Sequence, residues 1–205
     1  MSEAQNDSST GATRALLLAL VLLSLALRLG WAWTRPSDAA SIAALPDQVE
    51  YLQVADSIRA GNGVAMIDTR FPDAGEVRAF RMPGYPAVIA LLNSNARAVR
   101  VVQAVLGATT VLAGFWLARR FIGPRAALVA GVFVAFDPLL VYFDGLVLTE
   151  SLFVTMSAWA LALLAYGSPP TLRASGGATP SCGGLASRCC WRRSTYDRAP
   201  CRGLS

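Results

Sequence analysis

Four apolar stretches, each about as long as a bilayer's hydrocarbon core is thick, decide what this chain can fold into. A core about 30 Å thick needs about 20 helical residues, because every backbone amide there must find its partner within its own segment. Residues 15–33, about 99–118, 126–143 and 146–166 meet that condition. The expected fold is therefore all-α, a polytopic transmembrane helix bundle of about four spans. The first stretch ends in Trp31 and Trp33, ring systems that favour the membrane interface. The third carries Asp137 and Pro138 in its outer half, which predicts a kink or an early exit.

Composition agrees, with 54% of the 205 residues apolar and 15% charged. The net charge of +5 comes entirely from arginine, because the chain has no lysine and no histidine. A histidine base or ligand is thereby excluded. Arginine without lysine, beside abundant alanine, glycine and proline, is the mark of a GC-rich coding sequence. Basicity is then weak grounds for nucleic-acid binding, and no nucleic-acid partner is expected.

Charge sets an expected orientation. Arg119, Arg120 and Arg125 lie between the second and third spans with no acid, whereas Asp144 and Glu150 lie between the third and fourth with no base. By the positive-inside rule the arginine turn is cytoplasmic. Residues 1–14 are then a cytoplasmic N-terminus, residues 15–166 the transmembrane region, and residues 34–98 a large external first loop on the same face as the Asp144 to Glu150 turn. The expected location is a bacterial plasma (inner) membrane, as an integral multi-pass protein. Residues 1–13 lack the basic start of an export signal, so the first stretch reads as a retained span and not a cleaved leader. Arg28, inside that span, reads as snorkelling to the interface before it reads as a pathway charge.

The loop contains LPDQVEYLQVADSIRAGNG, which predicts an amphipathic helix with Pro46 in its first turn and Gly61, Asn62 and Gly63 at its end. At 100° per residue, Asp47, Tyr51, Val54 and Ile58 share one stripe, with Glu50, Gln53 and Ser57 on another face. Asp47 is thus the one acid on the apolar stripe. Packed against the bundle, its carboxylate would be partly desolvated and suited to act as a general base. Read plainly, it is a first-turn acid stabilised by the helix dipole, and periodicity alone weighs the two equally. Farther on, Arg78 and Arg81 precede a Pro-Gly-Tyr-Pro turn and a re-entering apolar run. Bases at that depth suit an anionic lipid phosphate, or simply border a membrane segment. Glu150 opens the fourth span in LTESLF, where a helix-capping acid is the plainer reading.

In order, PDQVEY, AGNG, RMPGYP, RVVQAVLG, ARRFIGPRAA, DPLL and LTESLF follow an apolar span with an Arg-containing outer turn. This series resembles the polytopic GT-C glycosyltransferases. More narrowly it is similar to the family 39 group of protein O-mannosyltransferases, lipid A aminoarabinose transferases and bacterial Rgt-type enzymes, over about residues 15–166. The resemblance implies transfer of a sugar from a polyprenyl-phosphate donor to an acceptor glycan, lipid or protein on the external face, with inversion at the anomeric carbon. It implies that Asp47, a few residues before Tyr51, is the base that deprotonates the acceptor hydroxyl. Arg81 and Tyr85 match a segment near the carrier phosphate, and Glu150 matches an acid that organises the site. A divalent metal is the one cofactor the resemblance suggests, but no metal ligand is assigned. PDQ stands where many relatives carry a second acid, which argues against a metal-binding role for this loop.

After Tyr166 the character changes. Residues 167–205 hold six arginines, all four cysteines and no apolar span. The spacing of Cys182, Cys189, Cys190 and Cys201 does not suit zinc. The segment reads as a disordered tail, and a frameshift near residue 167, leaving an N-terminal fragment of doubtful activity, is the sharper expectation. The competing reading is a non-catalytic membrane subunit or transporter fragment, in which Arg28, Asp47 and Glu150 are structural or pathway charges.

Overall fold

The computed structural model describes residues 2–71, 73 and 75–167. The tail beyond Tyr166 that sequence marks as different in character lies, from residue 168 on, outside the described residues. Ten elements follow in order: α1 (Ser2–Thr34), α2 (Ala39–Ala43), α3 (Pro46–Arg59), β1 (Ala65–Ile67), β2 (Glu76–Arg78), α4 (Gly84–Leu91), α5 (Ala96–Ile122), α6 (Pro124–Phe136), α7 (Pro138–Asp144) and α8 (Glu150–Gly167).

Among the described residues, three helices are long and apolar enough to cross a membrane: Gly11–Thr34 within α1, then α5 and α8. Taken together, α6 and α7 are also long and apolar enough, but they are bent by 47°, a geometry shared by a broken span and a re-entrant loop. The break sits where sequence places it. Pro138 has no N–H to continue the ladder, and Asp137 instead accepts the amides of Leu139 (2.9 Å) and Leu140 (3.1 Å), starting a new helix. The chain is an all-α polytopic bundle whose lipid-facing side is apolar: Leu18, Phe133, Phe153 and Leu164 are each more than 60% exposed.

Helix α5 is the hub, packed against α1, α6 and α8. Small residues let these helices approach closely. A side chain at Gly114 would press on Val134, and one at Gly131 on Leu20, each at 3.2 Å. Polar stitches tie α5 to α8: Thr110 and Thr155 hydroxyls meet at 3.0 Å, and Trp159 Nε1 donates to Thr109 Oγ1 at 3.1 Å.

Arg28 does not snorkel. It is fully buried, donating from Nε to Ser24 Oγ (3.0 Å), from Nη2 to the Val134 carbonyl (3.0 Å) and from Nη1 to Asp144. Asp144 in turn accepts from Ser151. The charge is cheaper to keep inside because a carboxylate from α7 meets it there, an option that a single span does not reveal.

The first loop folds over one end of the bundle. α3 lies on α4, and an antiparallel hairpin pairs Ala65 with Arg78, Met66 with Val77 and Ile67 with Glu76. Gln48 accepts the Val147 amide (2.9 Å), and Gln103 of α5 donates to the Leu148 carbonyl (3.0 Å). The first loop and the Asp144 to Glu150 turn therefore meet on one face.

Candidate active site

α3 begins with Pro46 at its first helical position and ends where Gly61 and Gly63 take positive φ, both at 78°. Asp47 and Glu50, three residues apart, are neighbours on its surface, an arrangement of like charges that needs a cation. Arg81 supplies it. Its guanidinium donates to both carboxylates, including Nε to Glu50 Oε2 at 2.8 Å, and stacks 5.0 Å from the Tyr51 ring centre. Ala79, at φ 57°, helps turn the chain from β2 into this position.

The two acids differ sharply in exposure. The Asp47 side chain is 58% exposed and that of Glu50 only 1%. Sequence periodicity put Asp47 on the apolar stripe and Glu50 on the polar one. The structure instead covers the Glu50 face with the hairpin and its loop: Thr69 Oγ1 donates to Glu50 Oε1 (2.9 Å), and the Ile67 amide to Gln53 Oε1 (3.0 Å). Tyr51, Val54 and Ala55 are buried as an apolar face should be, and Gln48 joins them through its bond to Val147. Desolvation thus falls on Glu50, while Asp47 keeps one side open.

Tyr51 and Tyr85 meet edge to face, ring centres 5.1 Å apart. Burial raises the phenol pKa of Tyr51, opposed by the Arg81 charge and assisted by Glu150 and Asp47. Burial also drives that of Tyr85 far upward. Its hydroxyl is buried without a hydrogen-bond partner among the described residues, so it is a neutral donor in waiting. Burial works against the Arg81 charge, but the bonds to Glu50 and Asp47 outweigh it and raise the guanidinium pKa, keeping the cation fixed.

Asp47, Tyr51, Arg81 and Tyr85 therefore gather at one place. Glu150 stands at its edge, at the start of α8, where its charge bears on both tyrosines. Beside the acids opens a cavity of about 240 Å³ lined by Leu45, Pro46, Asp47, Glu50, Arg70 and Leu148. Glu50, Thr69 and Arg70 escaped sequence reasoning. The three-residue spacing from Asp47 was the available signal for Glu50; nothing local marked the other two.

These residues do not fit a divalent metal. Such an ion takes carboxylate oxygens, and the Arg81 guanidinium already lies between those of Asp47 and Glu50. Among the described residues no three His, Cys, Asp or Glu side chains converge.

Residues 86–168 match the family described as dolichyl-phosphate-mannose-protein mannosyltransferase. No curated protein and no solved structure matches the chain. The likeness to GT-C membrane glycosyltransferases thus stands from within α4 through α8 and includes Glu150. Asp47, Tyr51, Arg81 and Tyr85 precede the matched stretch.

Proposed function

We propose that this chain is a membrane glycosyltransferase of the GT-C type that moves a sugar from a polyprenyl-phosphate donor to an acceptor on the outer face of a bacterial plasma membrane, with its N-terminus in the cytoplasm. The observation that carries the reading is one arginine spanning an open and a buried carboxylate beside a cavity at the end of the bundle that the first loop covers.

Asp47 is the base in this proposal. It takes the proton of the acceptor hydroxyl as that oxygen bonds to the anomeric carbon and the bond from that carbon to the phosphate oxygen breaks. The polyprenyl phosphate leaves with the electron pair, and Arg81 compensates its charge. Glu50 is the second anchor that keeps Arg81 at this depth when its contact with Asp47 is exchanged for the phosphate. Tyr85 offers its free hydroxyl, Tyr51 supports the guanidinium by stacking, and Glu150 orients the acceptor side. Every step uses side chains alone; none is routed through a metal.

The orientation is supported by Arg119 and Arg120 in the last turn of α5, at the end of that helix opposite the first loop. The non-catalytic reading draws support from Asp47 being already ion-paired. Membranes containing the chain, given a radiolabelled polyprenyl-phosphate sugar and an acceptor extract, separate the two. Transfer above control membranes, lost in Arg81→Gln, is expected. Absence of transfer with the folded protein present in the membrane contradicts the enzymatic reading.

A further inference from the structure

Three arginines that have no role in the candidate site gather where α1 ends and α5 begins, with Arg100 close enough to Tyr85 for the two to bear on each other electrostatically. Arg100 is 3% exposed, and its Nη1 donates to the carbonyls of Arg35 (3.0 Å) and Pro36 (2.9 Å) and to Ser37 Oγ (3.0 Å). Its charge is close enough to feel those of Arg35 and Arg97. Arg35 lies over the Trp31 ring at 3.8 Å, and Arg97 over that of Trp33 at 5.3 Å.

None of the three has an acidic partner among the described residues, although the chain pairs Arg28, Arg59, Arg70, Arg78 and Arg81 with acids. The Nε atoms of Arg35 and Arg100 are buried with no hydrogen-bond partner among the described residues. Arg97 and Arg100 also sit in the first turns of α5, where the helix dipole is positive and a cation is least welcome. Like charges, buried donors and an adverse dipole accumulate at one spot. An anion would offset both the like charges and the adverse dipole.

We propose that Arg35, Arg97 and Arg100 form an anion site of their own, bordering Tyr85 and sharing no residue with the Asp47 and Arg81 pair, that takes the phosphate of an anionic phospholipid headgroup. The tryptophans favour a lipid source over a free ion. They rank among the side chains preferred at headgroup depth, and Trp33 is 72% exposed beside Arg97. Arginine forks suit phosphate oxygens, and basic side chains at a membrane surface add attraction for anionic lipid. Arg100, fixed by its three bonds, forms the floor; Arg35 and Arg97 are the adjustable arms.

The test is native mass spectrometry of the full chain in detergent after exchange with phosphatidylglycerol or phosphatidylcholine. Phosphatidylglycerol should be retained about tenfold over phosphatidylcholine, and Arg35→Gln/Arg97→Gln should abolish most of that preference. Arg100 is left intact because it ties down the 35–37 turn. Arg35→Lys/Arg97→Lys keeps the charges and should restore most of the preference, which separates charge from misfolding. Arg78→Gln, which removes an exposed arginine paired with Glu76, should leave it unchanged; because the readout is lipid retention and not sugar transfer, failure here and failure of the proposed enzyme are distinguishable. Equal retention of both lipids, or an unaltered preference in the glutamine double variant, overturns the site. Displacement of the lipid by equimolar inorganic phosphate overturns the assignment to a headgroup.

Discussion

Arg28 and Asp144, separated by 116 positions, face each other with side chains only 1% and 2% exposed. The pair joins α1 to α7, and Ser24, Ser151 and the Val134 carbonyl make further hydrogen bonds to it. Its position beside the start of α8 makes it the floor beneath the face that carries Glu150; a cavity of about 20 Å³, the size of a water, is lined by Arg28, Asp144 and Glu150.

Removing one partner strands the other in an apolar interior. Arg28→Leu or Asp144→Leu alone should destabilise the bundle by about 3–5 kcal/mol, whereas the double substitution should recover most of the loss. Denaturant unfolding in detergent, followed by tryptophan fluorescence, measures the coupling. Additive losses would contradict a pairwise lock.

Gly107 is the seat of that lock. A Cβ there would lie 3.0 Å from Arg28 Nη1 and against the Asp144 carboxylate, while one at Gly30 would meet nothing within 4 Å. Gly107→Ala should lower stability by about 1–3 kcal/mol through overpacking. Gly30→Ala should be neutral or stabilising by up to about 1 kcal/mol, from helix propensity. The same unfolding assay compares them, and equal effects would refute the packing argument.

Glu50→Gln leaves Arg81 without its buried anchor, whereas Asp47→Asn removes only an exposed partner. Loss of the Glu50 charge should cost about 1–3 kcal/mol and open the 65–81 segment to protease. Asp47→Asn should leave the digestion pattern unchanged. Identical cleavage in both variants would mean that the two acids hold Arg81 equally.

Tyr51 and Tyr85 have phenol pKa values raised above 10.0 in the folded chain, by burial first. A raised pKa means that the folded state holds the proton more tightly, so this contribution is full below pH 10 and declines as pH climbs beyond it. Phenolate absorbance titration should show Tyr51→Phe and Tyr85→Phe matching the wild type near pH 10 when folded. After unfolding, each should show one fewer titrating group. A loss of signal near pH 10 in the folded variants would place these rings in water.

Much of the fold was legible in sequence because a membrane span must satisfy its own backbone, so length and apolarity suffice to find it. The Asp137-Pro138 break was legible for the same local reason, since proline removes an amide and aspartate caps the next helix. The Arg28 partner was not, because a residue 116 positions away supplies it. The burial of Glu50 was missed because a helical wheel knows nothing of the hairpin that covers that face, and strands of three residues are too short to show alternation. Of the candidate site, the gathering of Asp47, Tyr51, Arg81 and Tyr85 followed from ordered motifs, while Thr69 and Arg70 arrived through the hairpin fold alone.

The proposed role of Asp47 as the base is tested most directly with a donor bound. Polyprenyl-phosphate binding and sugar transfer should be measured side by side in wild type and Asp47→Asn. The variant should bind the lipid phosphate at least as well as wild type, Arg81 having lost a competitor, and transfer should fall by about 10²-fold or more. Transfer at the wild-type rate in a variant of unchanged lipid affinity would contradict Asp47 as the base.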